Sequence, residues 1–250
     1  MKRIHFGSID STNTYLKNNY NDLDSYTFVS SDYQTHGRGR SARKWDSEGK
    51  DLLFSLLIKD SYLYTKTNVI SILSAYSILQ ILKEYGVNNV YLKWPNDVYV
   101  NDKKICGILL ESVSKQSIEC LIIGVGLNVN EESFNKDYYA TSLKLQLHKD
   151  IDIEELKNRI YQRFVENINR LIDDYDYYDE IIKYDYLRNK EVNALINNEK
   201  KLVRVKKINR DYSLCVESNN EEYNLYSGEI SFNLNVKEDI WVSYMKIYLL

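Results

Sequence analysis

Two stretches of this chain combine residue types that suit chemistry on anions. The first runs from Lys93 through Trp94-Pro95-Asn96-Asp97, which holds the only proline in 250 residues, to Glu111. After that corner come an apolar run (Val98, Tyr99, Val100), the polar turn Asn101-Asp102-Lys103, and a second apolar run from Ile105. Two β-forming runs joined by turn formers read as a hairpin. Lys104 then stands at the mouth of one strand, with Asp97 at the far end of its partner. A cation on a rigid strand, beside a glycine (Gly107) that lets a ligand approach the backbone, suits an anion. An ordinary hairpin with a solvated lysine turn would carry the same pattern. The second stretch is Gln34-Thr35-His36-Gly37-Arg38-Gly39-Arg40-Ser41-Ala42-Arg43-Lys44-Trp45. Glycines alternating with arginines can wrap an anion in N–H groups and guanidinium forks. A solvated basic loop, or an RNA-contacting one, reads alike, although one short copy in an acidic chain gives RNA little support.

Elements have to hold these groups in place. Ile4 to Phe6 reads as a strand, and Ser8 to Thr14 as a polar cluster able to cap a helix through Tyr15, Leu16 and Lys17. Hydroxyls there can simply satisfy backbone N–H groups. Tyr26 to Ser31 is a strand, and Asp51 to Lys59 is a continuous apolar run of the kind that makes a buried one. From Thr67 the apolar spacing is helical and stops at Gly86, a glycine C-cap. Ile118 to Asn130 is a central strand whose Gly124-x-Gly126 lacks the third glycine of a dinucleotide fingerprint. Glu154 to Leu171 is a second long amphipathic helix, and Tyr178 to Leu187 a shorter one. Beyond Glu199 the period turns to two, in LVRVKKI, YSLCVES, EEYNLY, EISFNLNV and IWVSYMKIYL. Short strands separated by polar turns predict a small antiparallel barrel.

Bulk properties narrow the class. A net charge of -3 gives no general pull toward nucleic acid. Cys106, Cys120 and Cys215 form no C-x-x-C pair, which predicts a reducing compartment and buried thiols. The start has no apolar signal core, and no run approaches 18 apolar residues, so a cytoplasmic chain without a membrane span is expected. His5, His36 and His148 have no metal-ligand spacing, and no G-x-S-x-G elbow occurs. Cys106, inside an apolar strand, reads as packing.

In residue types and spacing these stretches resemble the biotin–protein ligases. Lys93 to Glu111 follows that family's K-W-P-N-D…K-(L/I)-(A/C)-G-I-L-x-E signature, and Gln34 to Trp45 its Q-T-x-G-R-G-R-x-G-R-x-W loop, with Ala42 in place of the usual glycine. Ser11-Thr12-Asn13 is similar to its S-T-N motif, residues 124–130 to its G-(I/V)-G-(I/L)-N-V-N strand, and Ala140 to Leu143 to its A-T-S-L segment. Gly228-Glu229-Ile230-Ser231 resembles the end of its C-terminal module. The resemblance implies an α+β fold, a mixed sheet covered by helices in the manner of class II aminoacyl-tRNA synthetases and biotin–lipoate ligases. It implies a catalytic domain over 1–197 and a small SH3-like β-barrel over 198–250. It also implies ATP-dependent activation of biotin to biotinyl-5′-AMP, with transfer to a lysine on a carrier domain of acetyl-CoA carboxylase or pyruvate carboxylase.

By the same resemblance Lys104, Arg40 and Asp97 are the catalytic residues. Ser11, Thr12, Asn13, Gln34, Gly37, Arg38, Arg40, Lys104 and Gly107 bind biotin. Arg38, Arg40, Arg43, Trp45, Asn96, Asp97, Lys104, Gly126 and Asn128 bind ATP, and Asp97 supports Mg2+. The S-T-N motif begins at Ser11, so the form without a DNA-binding module is expected, allowing a homodimer and neither DNA nor membrane as partner. The alternatives are a lipoate or octanoate ligase or transferase of the same fold, and a non-enzymatic carrier-domain- or RNA-binding protein.

Overall fold

The computed structural model describes residues 2–40, 43–45, 47–134, 139–196, 199–226 and 230–231. In chain order the first unit consists of β1 (Arg3–Ile9), α1 (Thr12–Asn19), β2 (Phe28–Gln34), β3 (Leu52–Ile58), α2 (Thr67–Glu84), β4 (Val90–Lys93), β5 (Asp97–Val100), β6 (Lys103–Ser114) and β7 (Ile118–Leu127). These strands form one sheet in the order β1-β2-β3-β7-β6-β5-β4. β1 and β2 are parallel and every other neighbouring pair is antiparallel. The helices α3 (Leu143–Leu147), α4 (Ile153–Ile172) and α5 (Tyr178–Ile181) follow.

Pairing register divides the sheet into two unlike faces, because side chains alternate along a strand. On one face Phe28 and Phe54 stack with ring centroids 4.6 Å apart, and Phe164 of α4 meets Phe54 edge-on at 5.6 Å. Helices α2 and α4 close this side with a continuous apolar core. α2 ends as its glycine predicts, Gly86 adopting φ +90°. On the other face α1 covers only one end, packing Leu16 against Val29, Leu57 and Ile122. Beyond it a row of directly paired residues crosses five strands: Leu53, Gly126, Gly107, Asp97 and Lys93. A parallel row sets Ser55 beside Gly124 and Leu109. Three glycines side by side leave a trough in this face.

The chain then builds a second sheet from β8 (Glu191–Ile196), β9 (Glu199–Ile208), β10 (Leu214–Ser218), β11 (Glu221–Leu225) and β12 (Ile230–Ser231). Its order is β11-β10-β9-β8-β12. The expected barrel is corrected here. Among the described residues β11 pairs only with β10 and β12 only with β8, so the sheet is open. Period-two alternation marks one buried face, which an open sheet and a closed one share, so the pattern could not tell them apart. Residues 232–250, which carry the last β-like run and most of the one before it, lie outside the described residues, as do Ala42, Gly228 and Glu229. The helix expected over 178–187 is also shorter than predicted. α5 stops at Ile181, a 3-10 turn covers Ile182–Tyr184, and Asp185 bonds the Leu187 N–H and pairs with Leu92. The two sheets meet where the buried Trp94 donates its indole N–H to the Tyr212 carbonyl at 2.8 Å.

Candidate active site

The glycine trough opens into a cavity of about 600 Å³. Every site residue expected from the sequence lines it except Gly37, which is buried behind it. The backbone explains the convergence. The turn between β5 and β6 places Asn101 and Asp102 at positive φ, and the register shifts by one residue between Val98 and Tyr99. Asp97 therefore faces Gly107 while Lys104 faces Tyr99. The Lys104 side chain runs back along the strand, over Gly107, to pair with Asp97 at 2.8 Å. A Cβ at Gly107 would stand 2.9 Å from both the Lys104 ammonium and the Trp45 ring, so any other residue there would push these side chains aside. Lys104 and Asp97, read as opposite ends of the hairpin, are thus ion-paired.

Residues 37–40 and 43–45 pair as a narrow ribbon: Trp45 N–H donates to the Gly37 carbonyl, Arg38 bridges Lys44, and Gly39 N–H donates to the Arg43 carbonyl. The ribbon lays the Trp45 ring on the trough, where a Cβ at Gly126 would fall 2.3 Å from the indole. Arg40 donates to Asn96 Oδ1 at 3.2 Å, tying ribbon to hairpin corner. Arg38 lines the cavity yet places its guanidinium 3.0 Å from Glu111 Oε2. Arg43 also lines the cavity. Asn128 turns its amide onto the Thr141 carbonyl at 2.9 Å and holds the 140–143 segment against β7.

At the opposite end Ser11 caps α1, accepting from the Thr14 N–H. Thr12 N–H donates to Gln34 Oε1 at 2.7 Å, the Thr12 hydroxyl lies 2.7 Å from that of Ser55, and Asn13 Nδ2 donates to Glu111 Oε2 at 2.7 Å. All three motif residues are buried while still lining the cavity.

Several lining or supporting groups escaped the sequence reading. Ser55 was hidden in an apolar run whose one hydroxyl was the available signal. Glu111 closes the hairpin signature and is the one charged residue of β6 after Lys104. Lys93 lies on the glycine row, with its ammonium 3.0 Å from the Tyr99 hydroxyl. Burial brings its pKa down to about 8, opposed by the charge of Asp97 and assisted by Lys104, Arg43 and Lys190. Asp51 and Glu131 are buried acids on the cavity wall. Burial pushes the Asp51 carboxyl up to about 6, against the hydrogen bonds from Val129 N–H and Ser47 and with the help of nearby Glu131. Cys106 is fully buried, and burial drives its thiol far above the ordinary range, which suits packing and not attack. Among the described residues no three His, Cys, Asp or Glu side chains gather to hold a metal.

A mixed sheet with one helix-sealed face and one glycine-floored face thus carries a polar-lined cavity, with Lys104 and Arg40 beside the hairpin corner and the hydrogen-bonded Ser11–Asn13 motif on the same wall. The chain matches the model of the biotin/lipoate A/B protein ligase family over residues 6–128. It is 37% identical over 139 residues to the bifunctional ligase/repressor BirA of Bacillus subtilis, covering 53% of this chain and 42% of that protein. It is 28% identical to the biotin--[acetyl-CoA-carboxylase] ligase of Paracoccus denitrificans, covering 48% of this chain and 51% of that one. The matches thus span about half or less of the length of these curated relatives. Among solved structures, the biotin protein ligase from Aquifex aeolicus in complex with biotin and ATP superposes with a TM-score of 0.82 at 28% identity, over 92% of this chain and 97% of that one. Among the described residues no helix is long and apolar enough to cross a membrane.

Proposed function

We propose that this chain is an ATP-dependent biotin–protein ligase, which forms biotinyl-5′-AMP and transfers the biotinyl group to a carrier-domain lysine. The observation that carries this reading is the Lys104–Asp97 pair at 2.8 Å, set on a glycine floor between the arginine ribbon and the Ser11–Asn13 corner. An elongated acid with a polar ring at its far end fits that layout: ring at the corner, carboxylate by the cations. The printed ligands of the Aquifex aeolicus structure, biotin and ATP, are the natural candidates.

In the first step a biotin carboxylate oxygen attacks the α-phosphorus of ATP and pyrophosphate leaves. Two anions must approach while charge grows on the α-phosphoryl oxygens, and Lys104, Arg38, Arg40 and Arg43 are placed to offset it. Magnesium takes few protein carboxylates and keeps several waters, so the Asp97 carboxylate on the cavity wall would be enough to hold it beside nucleotide phosphates. Bound there with nucleotide, the ion would supply further charge neutralisation. In the second step an acceptor lysine amine, deprotonated, attacks the acyl carbon and AMP departs. No enzyme nucleophile is required, in keeping with the inert Cys106. A biotin carboxyl carrier domain is the acceptor this reading requires.

Purified chain mixed with Mg-ATP, radiolabelled biotin and a carrier domain should give labelled adenylate and then labelled carrier. Absence of adenylate would overturn the reading. Calorimetry with lipoate in place of biotin tests the sister activity, since a dithiolane offers no N–H groups to the Ser11–Asn13 corner. Preference for lipoate would transfer the assignment.

A further inference from the structure

We propose that Glu111 is a positioning residue that sets the hydrogen-bond direction of the corner at Thr12 and Asn13, and with it the preference for ring ligands bearing N–H groups. This rests on the biotin reading above. One oxygen, Glu111 Oε2, accepts from Asn13 Nδ2 at 2.7 Å and from the Arg38 guanidinium at 3.0 Å. An ionised carboxylate only accepts, so the Asn13 amide has a single permitted orientation, nitrogen toward Glu111 and oxygen away. That oxygen lies against Gly124, where a Cβ would fall 2.3 Å from it, and accepts the hydroxyl of the fully buried Ser55.

The chain of bonds can be followed onward because a hydroxyl has one proton. Ser55 spends its proton on Asn13, so Thr12 is the donor across the 2.7 Å contact between the two hydroxyls. The 3.2 Å approach of the same Thr12 hydroxyl to Gln34 Oε1 is the minor branch. Gln34 Oε1 is in any case engaged by the Thr12 backbone N–H. From Glu111 the direction passes through Asn13 and Ser55 to Thr12. What remains toward the cavity is the unused acceptor capacity of Asn13 Oδ1 and Thr12 Oγ1, with the donor end of the Gln34 amide. Acceptors placed for N–H groups and a donor placed for a carbonyl suit a cyclic urea and offer nothing to an aliphatic acid. Arg38 completes the device: its pairing with Glu111 joins the ribbon to the corner, so both are registered to one carboxylate on β6.

Glu111→Gln tests this in the full chain. A glutamine can donate as well as accept, so Asn13 is free to turn its amide over and present N–H groups to a ligand that also presents N–H groups. Biotin Kd, by calorimetry, and biotin KM should each rise about tenfold. The loss should fall on biotin Kd and KM more than on kcat at saturating biotin, and octanoate binding should fall far less than biotin binding. Ser55→Ala breaks the same chain without removing a charge and should give the same rise, and the double variant should be no worse than either alone. A Kd within twofold of wild type in Glu111→Gln overturns the proposal, as do equal losses for biotin and octanoate or additive losses in the double variant. Failure of the wild-type chain to bind biotin is a different result and brings down the ligase reading together with this one.

Discussion

An ammonium held 2.8 Å from a carboxylate, with about a third of its side chain exposed, is cheap to redirect toward an incoming phosphate. Lys104→Ala should therefore cost adenylate formation roughly 3–5 kcal/mol of transition-state stabilisation, at or above the loss of one oxyanion donor. Single-turnover formation of biotinyl-AMP measures it, and the melting temperature should barely move. Arg40→Gly should weaken retention of the intermediate by about 1.5–3 kcal/mol, the value of a hydrogen bond to a charged group. Labelling of added albumin, wild type against variant, reads the escape. Asp51 makes a prediction of opposite sign. Its carboxyl titrates near 6 when folded against 3.8 ordinarily, so the folded chain binds more protons between those values. Native stability then falls as pH rises through that window, and the full penalty is present above about 6. Asp51→Asn keeps an acceptor for the Val129 N–H and removes the buried charge. Urea unfolding should show a gain of roughly 1–3 kcal/mol at pH 7.5 that vanishes near pH 4.

At the scale of elements, the hairpin is what the sequence made most readable, whereas residues 34–45 read only as a basic loop. Pro95, Asn96 and the Asn101-Asp102 turn act over a few residues, and local chemistry of that kind survives in any tertiary setting. The Lys104–Asp97 pairing was not readable, because a one-residue shift between β5 and β6 decides it. β8 was missed for a similar reason: Glu191 to Ile196 is too short to establish a period, and pairing with β9 is what makes it a strand. The glycine row was legible as a set of motifs but not as a floor, since only register places Gly107 beside Gly126. Gly126→Ala would drive a methyl into the Trp45 indole, a side chain at the edge of the ribbon. Overpacking of that kind costs about 1–3 kcal/mol. Thermal unfolding should register a loss in that range, while biotin and nucleotide binding by calorimetry fall far more, because the displaced ribbon carries Arg38, Arg40 and Arg43.

At the scale of the whole molecule, the two sheets are tied by the buried hydrogen bond from Trp94 Nε1 to the Tyr212 carbonyl at 2.8 Å. Trp94→Phe keeps most of the apolar volume and orphans that carbonyl, which costs about 1–3 kcal/mol. The melting temperature should drop by about 2–4 °C for each kcal/mol in a chain of this size. That tie joins residues 118 positions apart, and nothing local to either announces it. The open second sheet escaped for the same reason, since closure is a matter of which distant edges meet. The trough has one more consequence. Its glycines are overlaid by Trp45, Lys104 and Asn13, and the cavity beside those side chains stays unfilled, so a bound ligand adds contacts that the free chain lacks. Occupancy then stabilises the fold by RT ln(1 + [L]/Kd), about 2.7 kcal/mol at a hundredfold excess over Kd. The half-life of this protein against a housekeeping protease would accordingly lengthen and shorten with the supply of its ligand, making abundance itself a nutritional readout.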